Sequence, residues 1–290
     1  MPTSGDDLGV WHLGSTQRGQ LGKEPRTFNI GTPVTVDAHE SLRADIDFLN
    51  EILTRSAFAG LQDRCMDFMR AASNAAQAFE EKQSTLQLTP PIRSSFDNLL
   101  SAFVRFVNRT SHSLSQRHGK DSSEAVIFKD ATHYEFDHEF AYRFIYHLRN
   151  YSDHRGSPIS RIKQASKIVL GGKVENEFDV VFDSKILLQG DDWKKVVRDD
   201  LQQIDGEFSA IVVVDNLLKS CGRIHCKTLL AQESEIVASI SRMRIPIRAP
   251  RPAPTISDAG TARPSAHGQA MINTLHTAFA MLPQIVAARS

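Results

Sequence analysis

The chain has 290 residues, of which 41% are hydrophobic, and it carries 34 basic and 34 acidic side chains. This length allows one large domain or two small ones, and it is sufficient to bury a core without disulfides or metals as supports. The zero net charge argues against a protein that coats polyanions with its whole surface, although it permits a local basic site. No apolar run approaches the roughly 18 residues of a membrane span, so we expect no transmembrane helix.

The cysteines and the start of the chain indicate a cytoplasmic protein. Residues 1–30 contain no apolar stretch of the kind that forms the centre of a secretory signal. The three cysteines, Cys65, Cys221 and Cys226, are an odd number and belong to no CxxC motif or Cys/His ligand cluster. We therefore predict free or buried thiols rather than a disulfide framework or a zinc site.

Residues 37–151 have the periodicity of helices. Residues 1–36 are rich in Gly and Thr and are predicted to be irregular, apart from a short strand near Thr27–Val36. From Asp37 onward, apolar residues recur at three- and four-residue steps, which is the pattern of helices with one buried side. The predicted helices lie at about 37–53, 60–82, 91–118 and 122–151.

A small β element follows the fourth predicted helix. The apolar segments Lys167–Leu170 and Phe178–Phe182 flank Gly171–Gly172, and Ile186–Leu188 follows, which predicts a hairpin or short strands around 165–190. Two further helices are predicted, to about residue 204 and to about residue 240. The fold class is therefore mainly α with a small β-hairpin insertion. Its predicted parts are an N-terminal segment (1–36), a helical domain (37–243), a Pro-rich linker (244–266) and a short C-terminal helix (267–290).

The residues with the clearest chemical potential lie at the end of the fourth predicted helix. Arg149-Asn150 is followed by His154, and Gly156 and Pro158 then stop the helix. A ribonuclease that uses no metal needs a group of near-neutral pKa to move the proton of the ribose 2′-hydroxyl or of the leaving 5′-oxygen, and histidine provides one. It also needs a permanent cation shaped for phosphate oxygens, which arginine provides better than lysine. Arg149, His154 and Asn150 are the candidate catalytic residues.

The geometry of this motif depends on how the helix ends. Five positions on an unbroken helix separate two side chains by about 140°, so we expect the helix to fray or kink near Asp153 and bring His154 beside Arg149. Arg105 and His112 have a similar spacing on the preceding helix. Arg105, however, lies in an apolar sequence and is predicted to be a structural residue whose stem lies along apolar surface.

Basic and aromatic residues surround the motif. Between Tyr142 and Ile168 there are six Lys and Arg residues against one acid, Asp153, which indicates a polyanion-binding surface. Exposed tyrosines in such a surface can stack on unpaired bases. The residues predicted to bind RNA are Arg143, Tyr146, Tyr151, Arg155, Arg161 and Lys163.

The motif resembles the Arg-x4–6-His signature of the HEPN superfamily, in which a polar residue commonly follows the arginine. The resemblance covers residues 40–243, and its specific part is the segment 149–154. It implies an all-α HEPN-like bundle and a homodimer whose paired motifs form a composite site. It also implies cofactor-free cleavage of RNA by 2′-hydroxyl attack, which leaves a 2′,3′-cyclic phosphate and a 5′-hydroxyl. Such proteins often act as toxins or in phage defence, so RNA, a second copy and an antitoxin protein are the expected partners.

Two alternatives remain open. HEPN proteins include inactive members, so the same basic surface could belong to a non-catalytic module that binds RNA or a protein. His133 and Asp137 lie four positions apart in the polar cluster 133–139, which is a spacing that two metal ligands can use. That cluster could equally form a solvated helix face, or its acids could orient the Arg or His of the site.

Overall fold

The computed structural model describes the backbone of residues 11–17, 27–81, 88–168, 174–190 and 193–247. Side chains are described for 35–81, 88–149, 151–152, 156–164, 178–190 and 193–243. The described chain is mainly helical with a small antiparallel sheet, which confirms the predicted fold class at that level. The helices are α1 (Val36–Leu49), α2 (Ala57–Glu80), α3 (Thr89–His118), α4 (Ser123–His138), α5 (Phe140–Arg155), α6 (Ser184–Leu187), α7 (Lys195–Gln203), α8 (Ala210–Ala231) and α9 (Glu233–Ile247). The strands are β1 (Trp11–Gln17), β2 (Thr27–Val34), β3 (Arg161–Ile168), β4 (Val174–Asp183) and β5 (Glu207–Ser209).

The chain forms two compact units. One contains residues 56–231, and the other contains residues 1–55 together with 232–290. The predicted helical domain, residues 37–243, is thereby divided, because its two ends belong to the other unit. In that unit, Arg242 of α9 donates two hydrogen bonds to the carboxylate of Asp45 on α1, at 2.8 and 2.5 Å.

Serine hydroxyls fix the start of two helices in the larger unit. Ser56 accepts a hydrogen bond from the backbone N–H of Ala59, and Ser122 accepts one from Ala125, so each hydroxyl satisfies a first-turn donor that has no helical partner. Helix α3 instead begins with prolines in its first turn, which lack the N–H that would otherwise be unsatisfied there. These starts agree with the predicted helices to within a few residues.

The predicted fourth helix, 122–151, is two helices in the structure. Glu139 separates α4 from α5 with an extended backbone conformation, φ −114° and ψ 110°. The apolar pattern continues through this position, which is why periodicity alone predicted one helix. The prediction of one helix to about Ile240 is likewise wrong, because α8 ends at Ala231 and α9 begins at Glu233.

The sheet of the larger unit has the order β3-β4-β5 and is antiparallel throughout. The predicted hairpin is present, although it begins at Arg161, earlier than expected. The predicted strand at Ile186–Leu188 is wrong: this segment begins in helix α6, whose first N–H groups are capped by the carboxylate of Asp183. Strand β5 was not predicted, since three residues are too few to show an alternating pattern.

Parts of both terminal predictions fall within the described residues. The N-terminal segment contains an antiparallel strand pair, β1 with β2. The strand predicted near Thr27–Val36 is present as β2, and the prediction that the rest of the segment is irregular is wrong for Trp11–Gln17. Helix α9 continues to Ile247, into the predicted linker 244–266. The rest of that linker and the predicted helix 267–290 lie outside the described residues.

A single aromatic cluster joins α5 to the sheet. The ring of Phe144 stacks on Trp193 with centroids 5.7 Å apart and meets Phe182 of β4 and Phe208 of β5 edge-on. The Trp193 indole N–H donates to the Leu187 carbonyl at 2.8 Å, so its polar atom is satisfied inside the core. This packing fixes α5, which carries the predicted catalytic motif, against the strands that follow it.

The three cysteines are free thiols, as predicted. Cys65 of α2 and Cys221 of α8 are buried, and burial raises the pKa of the Cys65 thiol to about 12, so it is unreactive. Within the described residues, no helix combines the length and the apolar character needed to cross a bilayer.

His225 makes the stability of the larger unit depend on pH. Its ring stacks on Phe58 with centroids 4.6 Å apart, and burial lowers its pKa from 6.5 to about 4. Between these two values the unfolded chain binds a proton that the folded chain does not, so stability falls as the pH is lowered. We expect the free energy of unfolding to be about 2 kcal/mol smaller at pH 5 than at pH 7 through this group.

Urea titrations at the two pH values, on the wild type and on His225→Phe, measure this effect. The variant keeps an aromatic ring beside Phe58 and is expected to lose about 2 kcal/mol less on acidification than the wild type. An equal loss in both proteins would show that His225 does not carry the pH dependence.

Candidate functional site

The predicted catalytic motif occupies the last two turns of α5. The backbone is helical through Arg155 and ends at Gly156, whose φ of 90° is accessible mainly to glycine. The expected kink near Asp153 is therefore wrong. Because Gly156 can adopt a positive φ, the helix continues to this residue and does not break earlier, near Asp153.

A continuous helix determines which motif positions share a side. At about 100° per residue, positions 143, 147, 150 and 154 fall within about 60° of one another on α5, on the side where Arg143 is largely buried against Asp200. Position 149 lies about 140° around the axis and about 7.5 Å along it from position 154. The Arg149 side chain is exposed. One helix therefore does not place Arg149 and His154 on the same side. The buried residues of α5 are Ala141, Tyr142, Phe144, Ile145, Leu148 and Tyr151.

The prediction that Arg143 binds RNA is wrong in this structure. Its guanidinium donates two hydrogen bonds to the Asp200 carboxylate of α7, at 2.5 and 2.9 Å, and one to the Asp137 carbonyl at 3.3 Å. The side chain is only 12% exposed. Its fork is already occupied by a carboxylate, so it holds α5 to α7 instead of offering donors to a phosphate.

Arg143→Met is expected to act on stability and not on RNA binding. The substitution keeps an apolar stem and removes two charge-assisted hydrogen bonds, which we expect to lower the free energy of unfolding by about 2 kcal/mol. Urea unfolding together with RNA-binding titrations measures both properties. Weaker RNA binding with unchanged stability would restore Arg143 to the site.

The two predicted stacking tyrosines differ in accessibility. Tyr151 is buried, with its ring stacked on Trp193 at 5.5 Å, so the prediction that it stacks on bases is wrong. Tyr146 is 48% exposed, and its ring packs edge-on against Phe103 and Phe136. Tyr146 thus has a fixed orientation and an accessible surface, which are the properties that base stacking needs.

Arg161 and Lys163 lie on alternate positions of β3 and are exposed. Both contact the carboxylate of Glu207 on β5, and these hydrogen bonds lower the pKa of Glu207. The two cations therefore share one anion, and together they contribute a net charge of about one to this edge at neutral pH. Asn150, His154 and Arg155 lie on the described backbone of α5, and their side chains lie outside the described residues.

His147 is a titratable residue near the motif that sequence reasoning missed. It lies on the same side of α5 as positions 150 and 154, and its Nε2 atom is buried and accepts no hydrogen bond among the described residues. Burial and the nearby charge of Lys194 lower its pKa. The spacing of three and then four residues in His147, Asn150 and His154 was the sequence signal that could have identified it.

The polar cluster 133–139 contains a structural ion pair. The carboxylate of Glu135, which is 1% exposed, accepts hydrogen bonds of 2.8 and 2.6 Å from Arg223 of α8. Arg223 also donates to Glu139 at 3.0 Å. Both acids are therefore engaged by Arg223. Among the described residues, no group of three His, Cys, Asp or Glu side chains is arranged to hold a metal ion.

Comparisons with protein-family models, with curated proteins and with solved structures find no match to this chain.

Proposed function

We propose that this protein is a metal-independent endoribonuclease of the HEPN type, with Arg149, Asn150 and His154 as its catalytic residues. The observation that carries the proposal is the position of the Arg-Asn-x3-His motif at the capped end of α5, where Arg149 is exposed. Tyr146, accessible one turn before Arg149, supports it as a stacking surface for an unpaired base.

The proposed chemistry assigns one role to each residue. His154 acts as the general base or acid that moves the 2′-hydroxyl proton or protonates the leaving 5′-oxygen. Arg149 stabilises the negative charge that develops on the phosphorane, and Asn150 assists in positioning the phosphate. The 2′-oxygen forms a bond to phosphorus as the bond to the 5′-oxygen breaks, so the products carry a 2′,3′-cyclic phosphate and a 5′-hydroxyl.

The helix geometry favours a dimer for this reaction. Positions 149 and 154 lie about 140° apart on α5, so a site that uses both on one phosphate is easier to build from two copies than from one. In a homodimer, the arginine of one protomer could face the histidine of its partner. We include RNA, a second copy and a neutralising antitoxin protein among the proposed partners, and a cytoplasmic location.

Incubation of a mixed RNA pool with the full-length protein in EDTA tests the proposed function. We expect fragments to appear in the absence of any divalent metal. The cleavage rate per protomer should rise with protein concentration below the dimer dissociation constant and level off above it. Intact RNA at a large excess of protein would contradict the proposal.

A non-catalytic binding module is the second candidate. It is favoured by the unbroken helix α5, which places positions 149 and 154 about 140° apart and so separates the two catalytic groups within one copy. This candidate predicts that expression leaves growth unaffected and that RNA or protein binding survives His154→Ala. The ribonuclease predicts growth arrest on expression, relieved by the same substitution.

A further inference from the structure

Helix α3 has a long polar side that carries no acid after Asp97. From Asn98 to Lys120 the sequence has no Asp or Glu, although acids and bases are equally numerous in the whole chain, at 34 each. At 3.6 residues per turn, one row of side chains along this helix runs for about 27 Å on one side. We call this row the α3 stripe; its residues are Asn98, Ser101, Arg105, Arg109, His112 and Gln116, and all six are exposed.

The two arginines of the α3 stripe are available for a ligand. Among the described residues, neither Arg105 nor Arg109 forms an ion pair or a hydrogen bond. The exposed arginines of neighbouring α2 differ, since Arg64 and Arg70 both pair with Asp67, at 2.8 and 2.9 Å. Arg105 is exposed, so its guanidinium reaches solvent, as that of an arginine with its stem along apolar surface also does.

The opposite side of α3 anchors the stripe. Ile92, Phe96, Leu99, Phe103 and Phe106 are buried in the core, so α3 cannot rotate about its axis to bury the arginines. A fixed helix that presents two guanidinium groups one turn apart, with an imidazole and neutral hydrogen-bonding groups beside them, matches a chain of phosphates. The six residues of the stripe include no carboxylate that would repel them.

We infer that the α3 stripe binds the sugar–phosphate backbone of single-stranded RNA, as a docking surface additional to the motif on α5. The inference rests on the proposed function for the identity of the ligand and extends it to a second surface. Arg105 and Arg109 bind phosphates, while the neutral side chains of the stripe accept or donate hydrogen bonds to sugar and phosphate groups. The stripe binds without reading sequence, because it contacts no base edge.

The test measures binding and not cleavage. Full-length protein carrying His154→Ala is titrated into a 5′-labelled single-stranded RNA long enough to cover the stripe, in EDTA and at several salt concentrations, and fluorescence anisotropy is recorded. Arg105→Ala with Arg109→Ala is compared with Arg64→Ala with Arg70→Ala, in the same background. The two double variants remove the same charge from exposed positions on adjacent helices, and thermal unfolding checks that both remain folded.

We expect the Arg105/Arg109 variant to bind RNA roughly tenfold more weakly at about 0.15 M salt. The slope of log affinity against log salt concentration should decrease by about 1.4, which corresponds to two lost phosphate contacts on a single strand. The Arg64/Arg70 variant should bind nearly as the parent does. Equal affinities in the parent and the Arg105/Arg109 variant, an equal loss in both variants, or no RNA binding by the parent would overturn the inference.

A competition experiment distinguishes the two possible ligands of the stripe, RNA and an acidic protein surface. Poly-glutamate should displace the RNA poorly, and displacement as effective as that by unlabelled RNA would overturn the assignment to RNA. The inference and the proposed function can also fail separately. If the Arg105/Arg109 variant binds RNA more weakly but the wild type does not cleave RNA, the stripe is supported and the ribonuclease proposal is contradicted. If the wild type cleaves RNA but the variant binds as tightly as the parent, the ribonuclease proposal is supported and the stripe is contradicted.

Discussion

Replacing His154 with alanine is expected to reduce the rate of RNA cleavage by about 100- to 10,000-fold, which is the usual contribution of a positioned general acid or base. The substitution removes the imidazole that the proposal assigns as the general acid or base of the Arg149–His154 motif. RNA binding should change little, because affinity for RNA comes mainly from cations that contact phosphates. Initial cleavage rates in EDTA and binding titrations on the same preparation measure the two effects.

Two control variants make this result specific. His133→Ala removes an exposed histidine from α4 and is expected to leave the cleavage rate unchanged. Arg149→Lys keeps the charge but loses the planar fork, so we expect it to reduce the rate substantially. Equal rates for wild type and His154→Ala would show that His154 only complements the negative end of the α5 dipole, as a cation near a helix C-terminus does.

Replacing Arg223 with methionine is expected to lower the free energy of unfolding by about 3 kcal/mol. Arg223 donates two hydrogen bonds to Glu135, and its loss would leave that buried carboxylate without its counter-charge. The value lies at the lower end of the range for broken buried ion pairs, because Arg223 itself is 45% exposed and water can reach the vacated position. Urea unfolding of the full-length protein measures the change.

A double variant separates the ion pair from the packing around it. Glu135→Leu combined with Arg223→Met removes both charges and fills the space with apolar groups, so we expect it to recover most of the lost stability. If the double variant is as unstable as the sum of the single ones, Glu135 and Arg223 do not interact. Cleavage of RNA should be unaffected by either change once the protein is folded.

The helices of the larger unit were predictable because their local signals agree. Three-to-four-residue periodicity, the serine caps at 56 and 122 and the prolines at the start of α3 all mark the same boundaries. The break at Glu139 could not be predicted in this way, since the apolar pattern passes through it. The position of Glu139 is fixed by Arg223, which lies more than eighty residues later in the chain.

The surroundings of the candidate site were harder to predict, because charge was counted along the sequence. The segment 142–168 is strongly basic by that count. In the structure, Asp200 pairs with Arg143, and Glu207 pairs with both Arg161 and Lys163. These acids come from α7 and β5, and only the fold brings them to the basic segment.

Arg105 shows the opposite case, a cation whose exposure the order of residues in the sequence concealed. Its apolar neighbours in sequence suggested a structural arginine, yet on a helix those neighbours lie on the other side, and Arg105 faces solvent beside Arg109. The absence of acids between residues 98 and 120 was visible in the sequence and was the better signal. A helical projection of charge predicts such a surface, whereas a count of charge along the chain does not.

The mapping of product ends tests the central claim most directly. A defined RNA, with single ribose positions replaced by 2′-deoxyribose, is incubated in EDTA with the full-length wild type and with His154→Ala. We predict that the wild type alone cuts, that its products carry 2′,3′-cyclic phosphate and 5′-hydroxyl ends, and that no cut follows a 2′-deoxy position. Cleavage at 2′-deoxy positions, products with 5′-phosphate ends, or equal cleavage by both proteins would contradict it.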